Sequence, residues 1–292
     1  MSTKPAAKRS VRTVHTVSAV REIVAAWRDA GDSVAFAPTM GNLHAGHLSL
    51  AALAAVAAPR VVMSIFVNPT QFGPSEDFAA YPRTLAEDMA LVAAAGNVDL
   101  LFVPEAKEIY PFGLEHAVRV QLPPLSRELC GASRPGHFDG VASVVCRLLN
   151  IVAPDVLLLG QKDYQQFILV QRMIADLRMP VDLRMAATHR EADGLAMSSR
   201  NRYLDVQQRQ QAPALHAVLT RVRDELRAGV TDYVGVFATA RAELERSGFR
   251  PDYVEVRRAT DLAKLMGQGD ELRVVLGAAW LGRARLIDNL IV

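Results

Sequence analysis

The stretch from Ser33 to Ala57 reads SVAFAPTMGNLHAGHLSLAALAAVA, and it joins two kinds of pattern. It begins with an extended apolar run, 33–37, and it ends with a helix-like run that starts at Leu48. Glycines and two histidines, His44 and His47, separate the runs. A strand that leads into a helix is the building unit of a parallel sheet. Because ligands of such sheets bind where the strand ends and the helix begins, the stretch predicts both the fold and the place of a site.

The same alternation of apolar runs and helical patterns continues through the first two-thirds of the chain. The predicted strands are 33–37, 60–67, 99–103, 118–121, 155–159 and 181–186. The predicted helices are 17–30, 48–57, 85–95, 140–152 and 164–177. Apolar strands that alternate with amphipathic helices indicate an α/β fold, in which helices cover both faces of a parallel sheet.

The pattern changes after about Thr188. Predicted helices 206–228 and 234–247 are followed by alternating runs at 253–258, 273–276 and 284–291, with glycine-containing turns between them. Such runs are typical of a small antiparallel sheet. We therefore predict a Rossmann-like parallel-sheet domain over residues 1–187 and a smaller α+β C-terminal domain over residues 188–292.

The composition narrows the classes of protein to which the chain can belong. Of its 292 residues, 50% are apolar and 22% are charged, and the formal net charge is +2. This balance requires neither a nucleic acid nor an anionic membrane as partner. Two cysteines, Cys130 and Cys146, predict no disulfide framework, and no apolar run suits a signal peptide or a membrane span. We expect a cytoplasmic protein whose basic first dozen residues form a solvated, poorly ordered tail.

The pair His44 and His47 admits four interpretations. Residues three apart on a helix share a face, so both imidazoles are expected to point the same way. Zinc is disfavoured because no third ligand and no H-E-x-x-H string accompanies the pair, and the P-loop string is missing. Two interpretations stay open. The histidines only cap and pack the helix, or they form a triphosphate site where Gly41 and Gly46 let backbone N–H groups approach phosphate closely.

Four further segments bear on this choice. Gly160-Gln161-Lys162-Asp163 follows a predicted strand and holds one of five lysines, in a chain with 28 arginines. The others are Met197-Ser198-Ser199-Arg200, Asn68-Pro69-Thr70-Gln71-Phe72 and READGLA at 190–196. His-Ala-Gly-His and Met-Ser-Ser-Arg resemble the HIGH and KMSKS signatures of class I aminoacyl-tRNA synthetases and related nucleotidylyl transferases. With every motif in order from about Val34 to Leu204, the chain resembles the pantothenate synthetase family, also called pantoate–β-alanine ligases.

The resemblance implies a reaction. That family condenses (R)-pantoate with β-alanine, consumes ATP with Mg²⁺, and releases AMP and pyrophosphate through a pantoyl-adenylate intermediate. Such a step requires the protein to place charge around the α-phosphorus and the departing pyrophosphate. By resemblance, the catalytic residues are His44, His47 and Lys162. The implied ATP-binding residues are Met40, Gly41, Asn42, Leu43, His44, Ala45, Gly46, His47, Gly160, Gln161, Lys162, Asp163, His189, Met197, Ser198, Ser199 and Arg200.

The resemblance also implies that Gln71 and Gln166 bind the substrates, pantoate in particular. A neutral amide orients a carboxylate without quenching the charge of the nucleophile, whereas an arginine would stabilise the ground state. Arg134 and His137 resemble further anion contacts, although an ordinary solvated loop explains them equally well. No protein ligand of Mg²⁺ is predicted.

The chain departs from the family pattern at two positions. Gln161 stands where glutamate is usual, which puts in doubt any role that needs a carboxylate there. His189 stands where valine is frequent, and a backbone contact with adenine would tolerate that change. The resemblance further implies a homodimer and a C-terminal domain that acts as a lid.

Two other functions stay open. One is that of a nucleotidylyl transferase of the same fold that acts on a phosphorylated alcohol, and the other is that of an inactive ATP-binding sensor. The set His44, His47, Lys162 and Gln166 argues against the sensor, and the paired glutamines argue against a phosphorylated acceptor. A tRNA synthetase is disfavoured because the sequence shows no anticodon-binding domain and no basic RNA face.

Overall fold

The computed structural model describes residues 9–74, 76–265 and 271–292. The strands are β1 (Arg12–Val14), β2 (Val34–Thr39), β3 (Arg60–Ile65), β4 (Leu100–Phe102), β5 (Val156–Gly160), β6 (Asp182–Ala186), β7 (Arg250–Arg258), β8 (Arg273–Leu281) and β9 (Ala284–Ile291). The helices are α1 (Val17–Asp29), α2 (Ala45–Ala57), α3 (Leu85–Ala95), α4 (Ala106–Ile109), α5 (Cys130–Ser133), α6 (His137–Val152), α7 (Tyr164–Asp176), α8 (Val206–Gln211), α9 (Ala214–Arg227) and α10 (Tyr233–Arg246).

Strands β1 to β6 form one parallel sheet in the order β1-β4-β3-β2-β5-β6, which confirms the predicted α/β fold. From β2 the chain moves outward on one side through β3 and β4, and later on the other side through β5 and β6. The order of the sheet therefore reverses between β2 and β5. In open α/β sheets, the crevice at such a reversal, outside the carboxyl ends of the strands, is the usual ligand site. Here that crevice lies beside Thr39 and Gly160, the last residues of β2 and β5.

One predicted strand of this sheet is wrong. The run 118–121 has no strand neighbour, because its backbone is held by side chains of α6. Val120 N donates a hydrogen bond to Ser143 Oγ at 2.8 Å. Just beyond the run, Leu122 N donates to Asp139 Oδ1 at 3.0 Å. A short apolar run is therefore fixed here as an irregular segment on a helix surface.

The predicted disordered tail is also partly wrong. Residues 1–8 lie outside the described residues, but Arg12–Val14 forms the edge strand β1, paired in parallel with β4. Arg9 precedes this strand, and its guanidinium contacts the Asp99 carboxylate and the carbonyl oxygen of Pro59. The basic residues at 9 and 12 therefore belong to the folded sheet rather than to a solvated tail.

Helices cover both faces of the parallel sheet, as the alternation of patterns predicted. Along β2, successive side chains point to opposite faces. Phe36 packs in one buried cluster with residues of α1, α6 and α7. Its neighbours Ala35 and Ala37 pack in another cluster with residues of α2 and α3. Because Phe36 is fully buried, its truncation to alanine would cost roughly 3–5 kcal/mol.

The C-terminal part consists of α8, α9, α10 and the antiparallel sheet β7-β8-β9, and α9 and α10 pack on that sheet. The predicted antiparallel sheet is confirmed, whereas the single predicted helix 206–228 is wrong. Pro213 separates α8 from α9, because proline has no N–H to continue the helical hydrogen bonds. None of the helices within the described ranges has the combination of length and apolar character needed to cross a membrane.

The two sheets share part of one core. Tyr253 of β7 and three residues of β8, Val274, Leu276 and Ala278, lie in the same buried cluster as Phe138 of α6. The C-terminal sheet is therefore docked on the α6 side of the parallel sheet, and it faces the loops that follow β5.

Candidate active site

A cavity of about 230 Å³ opens at the crevice between β2 and β5. Its lining includes fourteen residues that the sequence predicted: Met40, His44, Gly46, His47, Gln71, Gly160, Lys162, Asp163, Gln166, His189, Met197, Ser198, Ser199 and Arg200. The remaining predicted residues do not line it: Gly41, Asn42, Leu43, Ala45 and Gln161. The structure therefore gathers segments that are far apart in the sequence around one space.

Strand β2 ends in a sharp turn that aims the start of α2 at this cavity. Gly41 and Asn42 have positive φ angles of 81° and 50°, a conformation that glycine adopts freely and asparagine more readily than most residues. The turn presents the N–H groups of Asn42 and Leu43 to the carboxylate of Asp88 on α3, at 2.9 and 2.8 Å. Asp88 is only 2% exposed and was not predicted as a site residue. No sequence pattern marks it, because α3 carries a second acid, the exposed Glu87, at the neighbouring position.

The two imidazoles are oriented by the first turn of α2. His44 is the N-cap residue, and its Nδ1 accepts a hydrogen bond from Gly46 N at 3.2 Å. His47 Nδ1 accepts from His44 N at 3.3 Å, and the ring centroids are 4.0 Å apart. Since each Nδ1 accepts, the neutral ring carries its proton on Nε2. Each histidine therefore caps the helix with one nitrogen and keeps an N–H donor for a ligand.

Both imidazoles are uncharged at neutral pH. Burial, assisted by the positive charge of Lys162, lowers the pKa of His44 to about 4. Burial and the adjacent ring of His44 lower the pKa of His47 to about 3. Neutral N–H donors that are already oriented stabilise charge as it develops on a phosphoryl group, without the strong ground-state attraction of a cation.

Lys162 enters the cavity from the single 3₁₀ turn that follows β5. Its Nζ lies 3.5 Å from Asp163 Oδ2. Burial would raise the pKa of Asp163, but the neighbouring Lys162 ammonium, together with Arg200, keeps that pKa below its ordinary value. The lysine is therefore a cation at the mouth of the crevice, paired loosely enough for a phosphate group to compete for it.

The second signature, the KMSKS-like segment 197–200, is joined directly to the turn after β2. Ser198 Oγ accepts from Arg200 N at 3.3 Å and so begins the next 3₁₀ turn. Ser199 Oγ donates to Asn42 O at 3.3 Å, and Asn42 Nδ2 donates to Ser199 O at 3.5 Å. The Arg200 guanidinium reaches Asp77 at 3.3 Å. The two signatures therefore form one continuous wall, in which Asn42 acts as a connector behind the lining.

Gln71 also lines the cavity and is buried. Its Oε1 accepts from Asn68 Nδ2 at 3.0 Å, and its Nε2 lies 3.0 Å from Met40 Sδ. A thioether is a weak acceptor, so this N–H group can be redirected to a ligand at little cost. The backbone of this turn approaches α6 so closely that a side chain in place of Gly140 would collide with it.

Adjacent glutamines on α7 have different environments. Gln165 is buried, its Oε1 accepts from Cys130 N at 3.0 Å, and its Nε2 donates to Leu125 O and Glu128 O at 2.9 and 2.8 Å. Gln166 lies within α7 and lines the cavity, and its side-chain amide makes no hydrogen bond to any residue that the structure describes. The geometry therefore leaves the amide of Gln166, but not that of Gln165, available to a substrate.

Arg134 and His137 form a network beneath Gln71 rather than a solvated loop. Arg134 donates from its guanidinium to His137 Nε2 at 2.8 Å, and it makes an ion pair with Glu76 at 2.5 Å. His137 Nδ1 donates to Gln71 O at 2.8 Å. Burial, together with the charge of Arg134, lowers the pKa of His137 to about 4, so that this imidazole is also neutral at pH 7.

A second cavity of about 520 Å³ adjoins the first. The two share Arg134, Lys162, Asp163, Ser198 and Arg200 in their linings. The far side of the second cavity is formed by C-terminal residues that include Trp280, Arg283 and Arg285. The crevice therefore continues from the end of the parallel sheet to the face of the C-terminal sheet.

The fold and the cavity together are those of an α/β enzyme that holds its ligand at the reversal point of a parallel sheet. The sequence profile of the pantoate-beta-alanine ligase family matches residues 12–291. The chain belongs to this family.

Its relatives match over nearly their whole length. It is 52% identical over 280 residues to the pantothenate synthetase of Thioalkalivibrio sulfidiphilus, with 96% of this chain and 97% of that one covered. A solved pantothenate synthetase from Thermus thermophilus is 43% identical, covers 96% of this chain and 98% of its own, and has a TM-score of 0.88. A pantoate-beta-alanine ligase from Francisella tularensis, solved in complex with beta-gamma ATP and beta-alanine, is 31% identical, covers 97% and 98%, and has a TM-score of 0.79.

This membership defines the chemistry of the chain. It is an AMP-forming ligase that condenses pantoate with β-alanine at the expense of ATP, through pantoyl adenylate. Neither the transfer of a nucleotide to a phosphorylated alcohol nor an inactive sensor role is the activity of this family.

Proposed function

We propose that pantoyl adenylate forms in the cavity between β2 and β5, with His44, His47 and Lys162 around the reacting phosphoryl group. The observation that carries the proposal is the convergence of these side chains at the reversal point of the sheet. Two neutral N–H donors and one ammonium suit a step in which negative charge moves from a carboxylate to a departing pyrophosphate.

In the first step, a carboxylate oxygen of pantoate attacks the α-phosphorus of ATP, and the bond to the β-phosphate oxygen breaks. The Nε2–H groups of His44 and His47 donate to phosphate oxygens, and Lys162 neutralises charge on the departing pyrophosphate. Ser198, Ser199 and Arg200 bind the phosphates from the adjoining part of the same wall. Of the remaining predicted ATP-binding residues, Asn42 and Leu43 bind Asp88 with their N–H groups, so they support the turn after β2 from behind the lining.

Gln71 and Gln166 hold pantoate by its hydroxyl and carboxylate groups. Both line the cavity, and the Nε2 group of Gln71 contacts only the weak acceptor Met40 Sδ. In the second step, the amine of β-alanine attacks the acyl carbon of the adenylate and AMP leaves. Exclusion of water from this space protects the mixed anhydride until the amine arrives.

Mg²⁺ accompanies ATP in this proposal. No group of three or more His, Cys, Asp or Glu side chains in the described ranges is placed to hold a metal ion. That fits Mg²⁺, which keeps several waters and is bound through substrate phosphates and one or two carboxylates. Asp163 is the carboxylate that lines both cavities, and it would hold a hydrated ion that supplies charge neutralisation to the phosphates.

The chain acts as a cytoplasmic homodimer in this proposal, with residues 188–292 as a lid domain over residues 1–187. The segment after α4 supports an association between copies, since Phe112 and Val118 are 81% and 80% exposed there. Large apolar side chains that a folded protein leaves exposed can mark a surface that contacts another chain.

The experiment that tests the proposal is an AMP-formation assay with each substrate omitted in turn. We expect steady AMP release only when ATP, pantoate and β-alanine are all present. Without β-alanine, about one equivalent of pantoyl adenylate should form per active site and remain bound. AMP release that does not depend on pantoate would contradict the proposed use of this cavity.

A further inference from the structure

Two adjacent polar residues are buried on the last strand, far in sequence from the motifs that they touch. Asp288 and Asn289 of β9 are 4% and 1% exposed. Neighbouring residues of a strand point to opposite faces, so the two side chains reach different parts of the molecule. Buried polar groups are costly unless they are hydrogen-bonded, so their partners indicate what they are for.

Asn289 binds the backbone of the Lys162 turn. Its Nδ2 donates to Gln161 O at 2.9 Å and to Lys162 O at 3.0 Å, and its Oδ1 accepts from Gln161 Nε2 at 3.2 Å. Both N–H groups and the oxygen of the Asn289 side-chain amide are therefore bound to Gln161 and Lys162. Asn289 lines neither cavity, so it acts only on the direction in which Lys162 leaves the backbone.

Asp288 binds the hairpin that leads into the second signature. Its carboxylate accepts two N–H groups from Arg190, at 2.6 and 2.9 Å, and it lies 3.2 Å from His216 Nδ1. Arg190 also donates to Gly194 O at 3.0 Å, and it is paired across the hairpin with Ala196. Burial would raise the pKa of Asp288, but His216 and Arg190 keep it low, so the carboxylate stays charged. The hairpin ends two residues before Ser198 and is thereby held by β9.

We propose that Asp288 and Asn289 are positioning residues for the adenylation step. Through these two residues, β9 holds in place the two loops that bind phosphate, which are the Lys162 turn and the segment 197–200. The inference rests on the proposed roles of Lys162 and of the second signature. It assigns the C-terminal sheet a part in building the site, beyond covering it. A phosphate-binding ammonium that is displaced by about 1 Å loses much of its effect on rate, which is why the backbone of Lys162 is pinned from outside the cavity.

A double-mutant cycle on the full-length enzyme tests whether Asn289 acts through Lys162. The measured quantity is the single-turnover rate of pantoyl-adenylate formation. Asn289→Ala should slow this rate by about 10- to 100-fold in the native background, but by less than about threefold when Lys162 is already alanine. Asn289→Asp keeps the shape of the side chain and the hydrogen bond that Gln161 Nε2 donates to it. It should give the same pattern of rates in the two backgrounds, and it replaces the alanine variant if that variant does not fold.

Asp252→Asn is the matched control. Asp252 also joins the C-terminal sheet to the first part of the chain, since Ser133 Oγ donates to it at 2.6 Å, but it contacts neither phosphate loop. We expect this variant to change the rate by less than about threefold in both backgrounds. An Asn289 effect of equal size in both backgrounds, or no Asn289 effect, would overturn the inference while leaving the proposed function intact. A Lys162→Ala enzyme with an unchanged rate would instead overturn the proposed role of Lys162, and the positioning role with it.

Discussion

His44 and His47 each direct Nδ1 at a backbone N–H of the same helical turn, with their ring centroids 4.0 Å apart. This arrangement fixes the tautomer of both rings and leaves on each an Nε2–H group, the donor that the proposed function assigns to the phosphates. The same imidazoles cap α2 and line the cavity. The two interpretations that the sequence left open, a helix cap and a ligand site, therefore do not exclude each other.

The first prediction concerns these rings. His47→Ala and His44→Ala should each slow adenylate formation by about 100-fold, the usual scale for the loss of one oriented donor. The change should be read from single-turnover kinetics, and both variants should stay folded by circular dichroism. His116→Ala, at an exposed histidine outside the cavity, should behave as the native enzyme does. Native rates in either cavity variant would exclude that residue from the step.

The second prediction concerns stability against pH. His44, His47 and His137 have pKa values of about 4, about 3 and about 4, below the ordinary 6.5. As the pH falls below 6.5, these rings take up protons in the unfolded chain but not in the folded one. The free energy of unfolding should therefore decrease as the pH is lowered from 6.5 to about 4, by up to about 1.4 kcal/mol per pH unit for each ring.

Urea unfolding of the ligand-free protein at several pH values measures this slope. The carboxyl groups with lowered pKa values add to this slope only as the pH approaches their ordinary values of 4.5 for Glu and 3.8 for Asp, so the histidines dominate the upper part of the window. His137→Asn, which retains a donor for Gln71 O, should make the slope shallower. A stability that stays constant or increases as the pH falls from 6.5 to 4.5 would contradict the neutral, buried state of these rings.

The third prediction separates the two kinds of ligand. Lys162→Ala should slow adenylation and weaken ATP binding while the KM for pantoate changes little, because the ammonium faces phosphate. Gln166→Ala should instead raise the KM for pantoate, by about tenfold for the loss of about 1.4 kcal/mol of binding. Lys107→Ala, at a lysine that is 76% exposed, is the control for the loss of a positive charge. The assignment fails if Gln166→Ala alters the KM for ATP but not that for pantoate.

The fourth prediction concerns Asp88, which holds the turn of Asn42 and Leu43 through both carboxylate oxygens. Asp88→Asn replaces one acceptor by a donor that faces an N–H group. This change should lower the free energy of unfolding by about 1–3 kcal/mol and slow adenylation at least about tenfold. Glu87→Gln, at the exposed neighbour on α3, should change neither quantity. A fully active, fully stable Asp88→Asn enzyme would show that the turn after β2 keeps its conformation without the carboxylate of Asp88.

Much of the fold and of the site followed from local pattern. The alternation of apolar runs and helices predicted the parallel sheet, and the residues after β2 and β5 could be chosen because ligands bind at the carboxyl ends of strands. His44, His47 and Lys162 were found in this way, together with the resemblance that added the Met197–Arg200 segment. His44, His47 and Lys162 follow closely on the ends of β2 and β5, whereas the Met197–Arg200 segment does not follow a strand end.

The features that the sequence did not predict depend on contacts between residues that are distant in the sequence. Asp88 meets Leu43 across 45 positions, and Asn289 meets Lys162 across 127. No periodicity marks these residues, because the hydrogen bonds that explain a buried polar side chain exist only after the elements have packed. The run 118–121 failed for the same reason: its apolar pattern suits a strand, but α6 rather than a strand lies beside it.

The most direct test of the account follows the oxygen atoms of the reaction. If a carboxylate oxygen of pantoate attacks the α-phosphorus, that oxygen must leave with AMP when β-alanine displaces it. Pantoate labelled with heavy oxygen in its carboxylate should therefore give AMP with one labelled oxygen and pyrophosphate with none, as read by mass spectrometry. Unlabelled AMP, or label in inorganic phosphate released beside ADP, would contradict the adenylate mechanism in this cavity.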